Sequence, residues 1–397
     1  MKTIAHTAHR GFIITALWVS TWLAALLLSL PVSAKPSPTS GERAVPSHPQ
    51  AQTALCEGEF LPISPALTDL GPNEYIRISG GPAGVVSGPT GFTGGLYPGS
   101  VNERPTEHTA AGLWMADQIT PLDATGTPDP NGMIGMLGIG MSNTASEFQD
   151  FWRLAEADPA VNPRLRIVNA AQAGKVASYW ADPLDPAWDF LDDMMAHRGV
   201  TDPQVQVVFI KLTNFYQDDF PAAQLKLQAD LETILKLLQD KFPNLRLAYF
   251  SSRTRSYAYW QGGGPEPWAF ESGFAVKWLI EKQISGDASL NFDPRRGQVH
   301  IPYLSWGPYL WADGQNARSD GLVWLQSDMK YDCIHPSFAG RAKVANMLLA
   351  FFKSDVTTTS WFLAPPYTMY MQNLYHIYAG GTGANPVRLF GSQTPKR

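Results

Sequence analysis

From residue 132 onward the chain alternates between two hydrophobic rhythms. Short, largely apolar runs of five to eight residues stand at 133–139, 166–170, 205–212, 245–250 and 299–304, and the clearest of them reads Val-Gln-Val-Val-Phe-Ile-Lys-Leu. Runs this short, apolar on both sides and rich in β-branched residues, predict strands buried on both faces. Between them apolar positions recur at helical spacing. Residues 222–241 carry Leu225, Leu227, Leu231, Ile234, Leu235 and Leu238, and 144–154, 270–284 and 337–352 read as further helices, the last with Ser337 as its N-cap after Pro336. Strands alternating with helices predict an α/β fold, a three-layer α/β/α sandwich around a mostly parallel five-stranded sheet. In such a sheet chemistry gathers at the carboxyl ends of the strands.

The flanking segments follow other patterns. Lys2 and Arg10 precede an uncharged stretch over 12–30, and Val32-Ser33-Ala34 is a small-residue cleavage pattern. Residues 1–34 therefore read as a signal peptide cleaved after Ala34, with a secreted or periplasmic product. The length of the stretch also fits an uncleaved anchor, the one membrane association expected. Residues 35–55, rich in Pro, Ser and Ala, read as a disordered linker. Residues 56–131 read as an irregular segment laid over the main domain, with Gly80-Gly81-Pro82 and Gly94-Gly95 as turn signals. The main domain takes 132–354, and 355–397 forms an aromatic C-terminal strap. A net charge of −5 gives no basic face for nucleic acid. There are two cysteines, Cys56 and Cys333. In an exported protein they either form a disulfide or stay as two buried thiols.

Four short motifs fall just after predicted strands or just before the last helix. Gly138-Ile-Gly-Met-Ser142-Asn143 follows the first strand. Its glycines allow a sharp turn, and a helix starting at the serine would aim free N–H groups at a developing anion. Thr144 stands where the second glycine of a GxSxG elbow would be, so that motif is excluded. Gly174 ends the motif after strand two and can present a bare N–H. Asn214 closes strand three with a side-chain amide able to donate. Asp332-Cys-Ile-His335-Pro336 puts a carboxylate and an imidazole on one turn, where the carboxylate can hold Nδ1–H and leave Nε2 free to take a proton.

In this order and placement, the motifs resemble the SGNH (GDSL-like) hydrolase superfamily over roughly residues 132–352. The resemblance implies a flavodoxin-like sheet of the SGNH type. It implies Ser142 as nucleophile, His335 and Asp332 completing the triad, and Ser142, Gly174 and Asn214 as the oxyanion hole. Two departures mark a divergent branch: Met141 replaces the usual Asp of block I, and block III reads Leu212-Thr213-Asn214-Phe215. The implied activity is a serine esterase acting through an acyl-enzyme on a small-molecule or polysaccharide ester, with no metal or cofactor, and deacetylation of a carbohydrate as the favoured subtype. The alternatives are an O-acyltransferase, in which a sugar hydroxyl replaces water, and a catalytically silent carbohydrate-binding protein on the same fold. The insert after strand four, with Arg253, Tyr257 and Trp260, is the expected substrate wall, together with Asn143. Oligomeric state is not legible.

Overall fold

The computed structural model describes residues 60–79, 86–215, 219–259 and 265–365. Its centre is a five-stranded, fully parallel sheet: β3 (Ile134–Gly140), β4 (Leu165–Asn169), β5 (Val205–Lys211), β6 (Leu247–Phe250) and β7 (Tyr303–Trp306), in the order β4-β3-β5-β6-β7. Every residue of β3, β5, β6 and β7 is buried. Alternate side chains feed two separate cores. Leu137, Ile139, Val208, Ile210, Ala248 and Phe250 join one. Met136, Val207, Phe209, Leu247 and Tyr249 join the other.

Helices cover both faces. On the first lie α4 (Ala177–Trp180), α5 (Ala187–Arg198), α6 (Ala222–Lys241) and α7 (Trp268–Ile284); on the second lie α2 (Thr106–Ala116), α3 (Ser142–Ala157) and α8 (Phe338–Ser354). The fold is the three-layer α/β/α sandwich. A short helix, α9 (Thr359–Phe362), buries Trp361 and Phe362 beside Phe352, and burial continues to Leu363.

The elements match the hydrophobic pattern closely, and the departures have local causes. The fifth strand begins at Tyr303, after Pro302, because a proline has no N–H to give a ladder. Ser337 is the N-cap of α8, with its Oγ accepting from Gly340 N at 3.3 Å, so Pro336 stands just outside the helix. The segment expected to be irregular contains a helical turn, α1 (Leu67–Leu70), and an antiparallel hairpin of β1 (Glu74–Ser79) and β2 (Val86–Thr93). Its strand residues Gly88, Pro89 and Gly91 hide that hairpin from a propensity reading. The turn expected at Gly80-Gly81-Pro82 lies outside the described residues. The hairpin is fastened to α7, where buried Glu271 accepts from Tyr75 Oη at 3.0 Å and from Arg77 Nε at 2.6 Å.

His108 on α2 carries a pH-dependent share of stability. Its Nε2–H donates to the Leu304 carbonyl at 2.8 Å, and its ring stacks on Tyr303 with centroids 4.3 Å apart. Burial lowers its pKa to about 4, the Leu304 carbonyl opposing and Arg104 reinforcing. The folded state thus binds the proton less well than the unfolded chain. The resulting stabilisation is full above the unfolded value near 6.5 and is lost as pH falls from there towards 4, a change on the order of 3 kcal/mol. Denaturant melts at pH 7 and pH 4 should show that loss, and His108→Gln should remove it. Equal acid sensitivity in the two proteins would rule this out.

Candidate active site

The chain leaves β3 at Gly140 and enters α3 at Ser142 with Met141 as an extended N-cap. The glycines of this segment serve close packing, not the sharp turn their spacing suggested, and neither has a positive φ. A Cβ at Gly138 would lie 2.3 Å from the Phe148 ring, and one at Gly140 would lie 2.4 Å from Thr144. They let α3 sit directly on its own strand. Thr144 Oγ1 donates to the Lys211 carbonyl at 3.0 Å, tying the helix start to the end of β5.

Ser142 Oγ lies 2.7 Å from His335 Nε2, and His335 Nδ1 lies 2.6 Å from Asp332 Oδ2. A carboxylate can only accept, so Nδ1 carries the ring proton and Nε2 presents its lone pair to the serine hydroxyl. The other carboxylate oxygen, Asp332 Oδ1, accepts from His335 N at 2.9 Å and Ile334 N at 3.1 Å. Burial alone would raise the Asp332 pKa, but these two N–H groups and the imidazole outweigh it and hold the carboxyl below its usual value. Cys333 takes a left-handed conformation (φ 65°), which lets the turn reverse between the acid and the base. Its carbonyl accepts from Tyr257 N at 2.8 Å. Cys333 is disulfide-bonded. Cys56, the other half of the expected bridge, lies outside the described residues.

The three expected oxyanion donors differ in how they are held. Among the described residues nothing accepts from the N–H of Ser142 or Gly174. Gly174 is exposed with φ 74°, and a Cβ there would meet nothing within 4 Å, so it borders open space. The Asn214 amide is fixed at both ends. Its Oδ1 accepts from Ser178 N at 2.9 Å, and its Nδ2 gives one hydrogen to Asp230 Oδ2 at 2.6 Å, leaving the second.

The expected substrate wall needs correction. Asn143 is buried, and its Nδ2 donates to the Ile334 carbonyl at 3.0 Å. It braces the histidine turn against the nucleophile's helix instead of facing substrate. Tyr257 is a core residue whose hydroxyl donates to the Trp324 carbonyl at 2.5 Å, and burial raises its pKa to about 12. Arg253 is buried with Nη1 3.8 Å from Met141 Sδ. Trp260 lies outside the described residues.

Beneath this loop Lys211 and Glu147 form an ion pair at 2.5 Å, both side chains 1% exposed. Burial pushes the Lys211 ammonium down and Arg253 adds to the push, while Glu147 opposes it. Sequence reasoning missed Asp230, whose place four residues after Lys226 has the look of a solvated helix pair. Among the described residues no group of three His, Cys, Asp or Glu side chains could hold a metal ion.

No protein-family model matches the sequence, and no curated protein matches it. Solved structures do. An acylhydrolase structure from Bacteroides fragilis aligns with a TM-score of 0.34 and 10% identity over 65% of this chain and 99% of its own. The periplasmic domain of a lipopolysaccharide acetyltransferase from Salmonella Paratyphi A aligns at 0.32 and 12%, over 61% of this chain and 94% of its own. An extracellular lipase from Streptomyces rimosus aligns at 0.25 and 13%, over 54% of this chain and 98% of its own. The neighbours are thus acylhydrolase, acetyltransferase and lipase structures.

Proposed function

We propose that this chain is an exported serine esterase that cleaves carboxylic esters through an acyl-enzyme on Ser142. One observation carries the reading: the unbroken relay from Ser142 Oγ through His335 to Asp332, at 2.7 and 2.6 Å. Residues 193 positions apart meet in the geometry that proton transfer from a hydroxyl requires. His335 takes the Ser142 proton as Oγ attacks the ester carbonyl. The Ser142 and Gly174 N–H groups and the remaining Asn214 N–H stabilise the oxyanion at the α3 N-terminus. His335 protonates the leaving alcohol, then draws a proton from water as it attacks the acyl-enzyme. The silent-binding alternative drew its support from Met141. That residue is buried, and the serine–imidazole–carboxylate bonds form without it.

We favour an acylated carbohydrate as substrate. Tyr179, Phe215, Tyr331 and Phe338 are 43%, 51%, 53% and 79% exposed, and each lies within five positions of Gly174, Asn214, Asp332 or His335. Exposed rings on the segments that carry these residues suit stacking on sugar faces. Export rests on the leader pattern of residues 1–34, which lie outside the described residues, and on the disulfide at Cys333. The purified protein should react with a fluorophosphonate probe and release acetate from acetylated oligosaccharides faster than it cleaves a long-chain p-nitrophenyl ester. The reverse preference would assign it to lipids. Binding of glycans without labelling or ester turnover would leave a binding protein.

A further inference from the structure

We propose that Asp230, on α6, is a positioning residue that sets which end of the Asn214 amide faces the reacting carbonyl. The inference rests on the reading of Asn214 as an oxyanion donor. A side-chain amide has two ends of nearly equal shape and opposite polarity, so its usefulness as a donor depends on what forbids a half-turn. Here two groups forbid it. Ser178 N–H donates to Oδ1 at 2.9 Å, and Asp230 Oδ2 accepts from Nδ2 at 2.6 Å. Turned over, the amide would set Oδ1 against a carboxylate and its NH2 against an N–H, replacing two attractive contacts with two repulsive ones.

Asp230 is built for this role. Its side chain is 15% exposed, and Lys226 Nζ holds it from the solvent side at 3.0 Å. The contact to Asn214 is therefore charge-assisted and partly shielded from water. With one Nδ2 hydrogen held by Asp230, the other is the one left for an oxyanion. Asp230 acts only through Asn214 and takes no part in proton transfer.

The competing explanation is that Asp230 is simply the helical partner of Lys226. Kinetics on a short-chain p-nitrophenyl ester separate the two. Asn214→Ala should lower kcat about 100-fold, as loss of one oxyanion donor does. Asp230→Ala should lower kcat about tenfold with KM within about twofold, and Asp230→Asn, whose Oδ1 can accept the same hydrogen, should restore kcat to within about threefold. Lys226→Ala should change kcat by less than about twofold, since exposed helix pairs contribute little.

Asp230→Ala placed on Asn214→Ala should cause no further loss. Should Asp230→Ala fail to fold, Asp230→Glu keeps the pair with Lys226 while moving the carboxylate off the amide, and its kcat should fall. The proposal is overturned if kcat survives Asp230→Ala or Asp230→Glu while Asn214→Ala is impaired. It is equally overturned if Lys226→Ala matches Asp230→Ala, or if the losses at 214 and 230 multiply. An Asn214→Ala enzyme with full kcat would instead remove Asn214 from the oxyanion hole, and this proposal with it.

Discussion

Ser142→Ala is expected to abolish fluorophosphonate labelling and to cut ester turnover by a factor on the order of 10⁴ to 10⁶. The serine supplies the only atom that bonds covalently to substrate in the proposed mechanism, so no neighbouring group can substitute for it. Among the described residues Oγ has one hydrogen-bond partner, His335 Nε2 at 2.7 Å, so deleting it should leave the fold intact. Melting temperature and substrate affinity are the controls: both should stay close to the native values while kcat collapses. Removing His335 in the same protein should add little, because a nucleophile without its base and a base without its nucleophile disable the same step. Turnover retained within tenfold of native would mean that another residue attacks the ester.

The strands were readable because burial on both faces leaves long β-branched runs in the chain, as in β5, where Val207 and Phe209 enter one core while Val208 and Ile210 enter the other. Ser142, Gly174 and Asn214 stood out because parallel topology delivers strand ends to one edge and these residues follow β3, β4 and β5, whereas the Asp-x-x-His turn stood out by its residue spacing just before α8.

What escaped was whatever depends on a partner distant in sequence. Asn143 and Tyr257 carry chemistry that suits substrate contact, and nothing local reveals that Ile334 and Trp324 occupy them. Asp230 hides in an ordinary helix pattern, because its bond to Asn214 exists only once α6 packs beside the end of β5. The glycines before Ser142 were legible as necessary but not for the right reason. Their constraint is the Phe148 ring and Thr144, which only the folded helix places where a Cβ on either glycine would meet them, at 2.3 and 2.4 Å.

Asp332→Asn should lower kcat by about 10³- to 10⁴-fold while leaving KM near native, the size of effect seen when a triad carboxylate becomes an amide. The native carboxylate serves two masters: one oxygen takes the Nδ1–H of His335 at 2.6 Å, and the other takes the N–H groups of Ile334 and His335. An asparagine has only one oxygen. With that oxygen on the turn, the amide N–H faces Nδ1 and forces the ring proton onto Nε2, where the imidazole can no longer accept from Ser142. With the oxygen on Nδ1, the NH2 confronts two backbone N–H groups, and the turn through Cys333 is disturbed. Either arrangement damages the base, so the loss should appear in kcat.

The pH dependence follows from the same contacts. The native carboxyl is held below its usual value, so the stabilisation from its charged form is complete above about pH 4 and disappears as pH falls through the lowered folded value. Asp332→Asn should therefore be less stable than native at pH 7 and approach it in strong acid. A variant that keeps native kcat would show that Asp332 holds the turn without orienting the imidazole.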